Sequence, residues 1–191
     1  MSAADRRAQL LDVARDIVAT EGFGAVTIDR VAREGQVARA LVYQQFTDLS
    51  GLMTALLDRE SAIAFAGVRS VDWSTDAAID IDAVGRGVLA YLHAAPTSWQ
   101  IMLSPPEGGP PGLRERLELG RAYARTIGAR HMSRYTGVTI DPNGPTERIL
   151  LAATEELARL HLADPQRYPD ELVLRYVRTL ADWAAGVENP R

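Results

Sequence analysis

The amino-acid sequence predicts an all-α protein in which a small N-terminal helix-turn-helix domain precedes a larger helical domain. Apolar side chains recur at helical spacing through most of its 191 residues. Clusters of glycine and proline, such as residues 105–112 and 141–145, separate these runs. The one β-like run, residues 138–140, has no partner segment and cannot form a stable strand alone. We therefore expect helices throughout.

Four helices are expected near the N-terminus. The first spans residues 7–21 and stops at Gly22; the second starts after Thr27, whose hydroxyl can cap it, and stops at Gly35. The third covers residues 38–46, and a longer fourth helix covers residues 48–68, capped by Thr47 or Asp48. Further helices are expected near residues 76–94, 97–104, 112–136, 145–163 and 169–187.

The second and third helices form a predicted helix-turn-helix. Both are short, only residues 35–37 join them, and a longer helix precedes them. This arrangement places the later helix in the DNA major groove. The small core that they would form would be marginal alone, so it would pack on the first and fourth helices. Its predicted residues are Phe23, Val31, Ala32, Val37, Val42 and Phe46. We place the domains at residues 1–50 and 51–191.

Several residues at fixed spacing carry a family resemblance. They are Gly22, Phe23, Thr27, Val31, Ala32, Val37, Arg39, Val42, Tyr43, Phe46 and Leu52. Read together, these residues make the segment 7–57 resemble the TetR family of transcriptional regulators. The resemblance implies a homodimer that binds double-stranded operator DNA, usually as a repressor, and that leaves the operator when a small apolar effector binds.

The resemblance also implies which residues contact DNA: Thr27, Gln36, Ala38, Arg39, Leu41, Tyr43 and Gln44. Thr27 and Tyr43 suit phosphates, Arg39 suits a phosphate or guanine, and Gln44 suits an adenine edge. The alternative is that Thr27 only caps a helix, Tyr43 is a half-buried core residue and Gln44 and Gln45 are solvated.

Four residues depart from the family pattern. Gln36 stands where glycine is frequent, Ala38 where serine caps the recognition helix, Leu41 where threonine is usual and Leu49 where a phosphate-binding lysine is typical. Loss of the cap and of the lysine should weaken electrostatic binding to DNA.

Charge and composition limit the function classes. The net charge is −4, and the first 50 residues hold six arginines against seven acidic residues, so a DNA interface must concentrate its arginines locally. Cysteine is absent, which excludes disulfides and thiolate metal sites and suits the cytoplasm. The N-terminus has no apolar signal segment. Residues 87–106 are long enough to span a bilayer, but their prolines and polar residues argue against a membrane helix.

The C-terminal helices provide candidate dimer and effector sites. The last two helices look like the family's dimerising pair, with interface candidates Leu150, Ala153, Leu157, Leu160, Tyr176, Leu180 and Trp183. The alternative is an intramolecular core. Candidate residues for an apolar effector cavity are Trp73, Tyr91, Trp99, Met102, Leu103, Tyr123, Ile127 and His131. Plain core packing is again the alternative.

Motifs for catalysis or metal binding are weak. The glycine pattern at residues 85–90 matches a dinucleotide fingerprint but lies inside a helical run with no preceding strand. His93, His131 and His161 lack metal-site spacing, and we expect Glu155, Glu156 and His161 at the solvent surface. We therefore expect no metal, no cofactor and no enzyme. The alternative function is a helical small-molecule carrier or enzyme without DNA binding, which a promoter-shift assay would distinguish.

Overall fold

The computed structural model describes residues 2–66 and 79–189, and all the regular structure in these ranges is helical. The all-α prediction is confirmed there, and residues 138–140 form no strand. A 3-10 turn, Phe23–Ala25, follows the first helix. The α-helices are α1 Ala3–Glu21, α2 Ile28–Glu34, α3 Arg39–Phe46, α4 Leu49–Ala64, α5 Ile81–Ala94, α6 Pro96–Leu103, α7 Leu113–Thr136, α8 Pro145–Ala163 and α9 Asp170–Glu188.

The chain forms two compact units. The N-terminal unit comprises residues 1–64 and 97–117, and the C-terminal unit comprises residues 65–96 and 118–191. The first unit therefore takes a second chain segment, α6 and the start of α7, beyond the helix-turn-helix. Its buried core includes Leu10, Phe23 and Leu56 from the first segment and Ile101, Leu113 and Leu117 from the second. The functional boundary at residue 50 stays a prediction.

Local capping chemistry sets the ends of the first helices. Helix α1 begins at Ala3, earlier than predicted, because Ser2 and Asp5 form a capping box in which each side chain accepts the other's backbone N–H. It ends at Gly22, whose positive φ of 83° suits glycine. The Thr27 hydroxyl accepts the Arg30 N–H, and the Asp48 carboxylate accepts the Gly51 N–H, as the sequence predicts.

Two helices differ from their predicted lengths. Helix α4 ends at Ala64 rather than residue 68, and residues 67 and 68 lie outside the described residues. Helix α5 begins at Ile81 because the Asp80 carboxylate accepts two backbone N–H groups there. Residues 76–78 of the predicted helix also lie outside the described residues. No described helix combines the length and the apolar character needed to cross a bilayer.

Helices α5, α8 and α9 pack together within the C-terminal unit. Gly85 allows the approach of α5 to α9, because a Cβ there would lie 2.7 Å from Leu174 Cδ2. The glycine pattern at residues 85–90 is therefore helical packing, as expected. The prediction that His161 lies at the solvent surface is wrong: it is only 3% exposed, and its ring contacts the Tyr168 carbonyl just before α9 and Asp170 at the start of α9. Glu155 is also largely covered and pairs with Arg121.

Candidate nucleic-acid interface

The angle between α2 and α3 is fixed by their shared core with α1. Val31 and Val42 are fully buried, and Phe46 is nearly so. Gly35 ends α2 in close contact with α1: a Cβ there would lie 2.9 Å from both Leu10 Cδ2 and the Val31 carbonyl oxygen. Any larger residue must therefore move α2 or α1. This packing holds α3 in place without using the residues on its outer face.

The turn between α2 and α3 contains a left-handed residue. Gln36 has a φ of 53° and an exposed side chain, and its N–H donates to the Arg33 carbonyl. Residues other than glycine adopt this conformation at some energetic cost. This backbone geometry explains why glycine is frequent at this position in the family pattern. Gln36 places an exposed side chain at the turn, and its positive φ has an energetic cost.

The exposed face of α3 carries most of the predicted DNA contacts. Arg39 and Gln44 are exposed, and 45% of Tyr43 is accessible. Ala38, just before the helix, is also exposed. Leu41 is half-buried and points partly toward the packed side. The outer face therefore combines a cation, a phenol and an amide, which suits both phosphates and base edges.

Thr27 is exposed and caps α2 at the same time. Its hydroxyl oxygen accepts the Arg30 N–H at 3.1 Å. A hydroxyl that accepts one hydrogen bond still has its own hydrogen to donate. The capping role and a phosphate contact are thus compatible, and the two alternatives left open by the sequence do not exclude each other.

Both ends of α3 lack favourable local chemistry. Ala38 occupies the N-cap position with the extended backbone of a cap, but it has no side chain that could accept an N–H. At the other end Thr47 has a φ of 67°, and the Asp48 N–H donates to the Phe46 carbonyl at 2.8 Å. This is a γ-turn of the strained, positive-φ kind, on a β-branched residue.

The arginines near α3 are mostly engaged with carboxylates. The guanidinium of Arg39 pairs with Asp29 of α2, and both side chains are 61% exposed. Arg30 pairs with Glu21 and Glu34. An exposed ion pair of this kind contributes at most about 1 kcal/mol, so a DNA phosphate can displace Asp29. The pairing of Asp29 with Arg39 could not be predicted from the sequence, because it depends on how the intervening turn brings α2 and α3 together.

The predicted dimer residues lie on α8 and α9 with mixed exposure. Leu150 is buried, whereas Ala153, Leu157, Leu160 and Leu180 are half-buried. Tyr176 and Trp183 are 52% and 38% exposed. Ile149 and Val187, also large and apolar, are 47% and 50% exposed on the same two helices. Tyr176, Leu180, Trp183 and Val187 recur at four- and three-residue spacing, which places them on one face of α9.

The predicted effector residues are divided between the two units. Trp99, Met102 and Leu103 belong to the N-terminal unit, where Leu103 is buried and Met102 accepts the Ser61 hydroxyl. In the C-terminal unit Tyr91, Ile127 and His131 are half-buried, and Tyr123 is 65% exposed. Burial lowers the pKa of His131, aided by the positive charges of Arg134 and Arg130. Trp73 lies outside the described residues.

The chain matches known proteins in its N-terminal domain and its fold. Residues 10–56 match the profile of bacterial regulatory proteins of the tetR family. A TetR-like transcriptional regulator from Rhodococcus sp. RHA1 has a TM-score of 0.69 at 15% identity and covers 99% of this chain and 100% of its own. A putative TetR-family regulator from Vibrio parahaemolyticus has a TM-score of 0.61 at 20% identity, covering 93% and 97%. No curated protein matches the sequence.

The fold and the exposed α3 define a class of all-helical proteins with an N-terminal helix-turn-helix. Within that class, residues 10–56 match the TetR family of bacterial regulatory proteins, and the described chain has the TetR-like fold. The family resemblance found in residues 7–57 is thereby confirmed.

Proposed function

We propose that this protein is a homodimeric repressor that binds operator DNA through α3 and dissociates when a small apolar effector binds. The observation that supports DNA binding is the outer face of α3. Arg39, Tyr43 and Gln44 are exposed there, while Val42 and Phe46 are the buried residues of the helix. Side chains so exposed contribute little to the core, and their chemistry fits DNA.

Fluorescence anisotropy with labelled DNA from upstream of the protein's own gene tests the DNA contact. Arg39→Ala and Tyr43→Ala should greatly weaken binding while the melting temperature stays within about 2 °C, because neither side chain is packed. Gln44→Ala should relax the preference at one base pair, at about 1–3 kcal/mol if the contact is bidentate. Full affinity in both the Arg39 and Tyr43 variants would rule out α3 as the recognition helix.

Asp29→Asn provides a matched variant with the opposite expected sign. Asp29 competes with DNA for the Arg39 guanidinium and adds a negative charge near the interface. Its removal should therefore strengthen DNA binding, and the gain should shrink at high salt. In an Arg39→Ala background most of this gain in DNA affinity should vanish, because the guanidinium for which Asp29 and DNA compete has been removed. The double-mutant cycle thus separates release of Arg39 from a general change in charge.

Dimerisation is proposed through the apolar faces of α8 and α9. Each carries large exposed apolar groups, and a two-fold axis would pair them as a four-helix interface. Tyr176→Asp is a cleaner test than Leu180→Asp or Leu157→Asp, because Tyr176 is 52% exposed and contributes less to the fold. Val88→Asp, equally exposed on α5, is the control. In sedimentation we expect Tyr176→Asp to be monomeric and Val88→Asp to remain dimeric. A dimeric Tyr176→Asp would contradict the proposed interface.

Release by an effector requires that ligand and DNA prefer different conformations. A coupling of about 1–3 kcal/mol would weaken operator binding roughly five- to 150-fold, and DNA would weaken effector binding by the same factor. The candidate effector residues of the C-terminal unit, Tyr91, Ile127 and His131, combine apolar and polar groups, which is the usual composition of such a pocket. Calorimetry of a bound compound with and without operator tests the coupling. Equal affinities would exclude that compound as the effector.

A further inference from the structure

Two imidazoles and a carboxylate meet where three helices of the C-terminal unit come together. His93 lies near the end of α5, His161 near the end of α8, and Asp170 is the first residue of α9. His93 Nε2 is 2.9 Å from His161 Nε2. Asp170 Oδ1 is 3.3 Å from His93 Nε2 and 3.6 Å from His161 Nε2. Within residues 2–66 and 79–189, no other group of three metal-binding side chains is this close together.

The tautomer of His161 is fixed by the backbone. Its Nδ1 lies 2.8 Å from the Tyr168 carbonyl oxygen, which can only accept, so Nδ1 carries the hydrogen and donates it. In the neutral ring the lone pair is then on Nε2, the atom that faces His93 and Asp170. Histidines that bind metals usually donate their other N–H to a carbonyl or carboxylate in this way. The buried His161 is therefore already oriented as a ligand.

The three facing atoms have the spacing of a metal coordination sphere. Around a tetrahedral Zn²⁺ at about 2.0–2.1 Å, neighbouring ligand atoms lie about 3.3 Å apart. The observed separations of 2.9, 3.3 and 3.6 Å bracket that value. A point in the plane of the three atoms and equidistant from them lies about 1.9 Å from each, so a small displacement out of the plane gives normal bond lengths.

We propose that His93, His161 and Asp170 bind one divalent transition-metal ion, of which Zn²⁺ is the reference case. Two imidazoles and one carboxylate suit Zn²⁺ and its neighbours, whereas Mg²⁺ and Ca²⁺ prefer oxygen ligands alone. Three protein ligands leave a fourth position for water or for an anionic group of a small molecule. The side chains of His93 and Asp170 are 48% and 44% exposed, which gives the ion access from solvent.

The same distances also permit a metal-free hydrogen-bond network. In that network His93 Nε2 donates to His161 Nε2, with Asp170 alongside. It would hold the ends of α5, α8 and α9 together without binding any ion. The network and the metal site use the same residues, so the two are separated by metal affinity rather than by the effect of the variants on stability. Neither depends on DNA binding, so failure of the metal proposal leaves the proposed function intact.

The experiment is calorimetric titration of the untagged full-length protein with ZnCl₂, paired with Co²⁺ absorption spectra. We expect one ion per chain and the intense visible bands of four-coordinate Co²⁺. His93→Gln and Asp170→Asn should each weaken Zn²⁺ binding at least about tenfold and abolish those bands, because each removes a ligand. Glu171→Gln is the matched control, since it removes a neighbouring charge from the same first turn of α9 but no ligand. A large excess of Mg²⁺ should not displace Zn²⁺.

Two results would overturn the proposal. One is a wild-type Zn²⁺ affinity no higher than that of His93→Gln and Asp170→Asn, which would leave the hydrogen-bond network as the sole role of the cluster. The other is a weak, six-coordinate Co²⁺ spectrum in the wild type. His161→Gln is informative only if it folds, because the ring is buried. The exposed positions of His93 and Asp170 keep the test decisive without it.

Discussion

Glu147 should make the stability of this protein fall as the pH rises. The side chain lies in the first turn of α8, only 3% of the residue is exposed, and its Oε2 has no hydrogen-bond partner. One carboxylate oxygen packs against Gly128, where an added Cβ would lie 2.0 Å from it. Burial raises the pKa of Glu147 from 4.5 to about 7, although the nearby Arg125 charge opposes the shift. The folded protein therefore favours the neutral acid.

The sign and size of the effect follow from this raised pKa. Below about pH 4.5 the carboxyl is neutral in both states, and it has no effect on stability. Between about pH 4.5 and 7 the unfolded chain ionises first, so the free energy of unfolding decreases as the pH rises. Above about pH 7 the folded protein carries the full penalty, about 3 kcal/mol at 1.36 kcal/mol per pKa unit.

Glu147→Gln isolates this contribution, because it replaces the acid by a neutral group of the same shape. Urea unfolding of both proteins at matched concentration, from pH 4.5 to 8, gives the difference in unfolding free energy. The variant should gain on the wild type as the pH rises, by about 3 kcal/mol in total. Glu171→Gln, at an exposed position, should show no such trend. A difference that is constant with pH would refute the argument.

Three further predictions concern the ends of α3 and the turn before it. Ala38→Ser should raise the unfolding free energy by about 1 kcal/mol by supplying the missing cap, whereas Ala40→Ser, inside the helix, should not; urea denaturation compares the two. Thr47→Gly should raise it by about 1 kcal/mol or more by relieving the positive φ, again measured by urea denaturation. Gly35→Ala should lower the melting temperature by several degrees, as scanning calorimetry would show, because its Cβ would lie 2.9 Å from Leu10 Cδ2 and from the Val31 carbonyl oxygen and would force α1 or α2 to shift.

The helix-turn-helix could be predicted from sequence because its signals are local. Thr27 and Gly35 mark the ends of α2 through capping and turn chemistry, and Val42 and Phe46 mark the buried side of α3. Each signal lies within a few residues of the feature it predicts. The early start of α1 was missed because the capping box of Ser2 and Asp5 lies before the first apolar residue of the helical pattern.

The buried polar groups could not be predicted, because their partners are distant in sequence. Glu60 is fully buried, and its carboxylate accepts hydrogen bonds from Arg59 and from Ser98, 38 residues away. His93 and His161 are separated by 68 residues and meet only because α5 and α8 pack on α9. A contact between residues so far apart in the chain leaves no spacing motif in the sequence. Helical periodicity alone gives the face of a residue but not its neighbour from another helix.

The two-segment build of the N-terminal unit has a consequence for synthesis on the ribosome. Ile101, Leu113 and Leu117 complete a core that begins at Leu10, so residues 1–64 are synthesised before the segment that completes their core. At about 5–20 residues per second, translation from residue 64 to residue 117 takes roughly 3–10 s. Throughout that interval the apolar faces of α1 and α4 have no second segment to cover them. The incomplete N-terminal unit is therefore prone to aggregation during this interval, and a fragment cut at residue 64 would keep that exposed surface permanently.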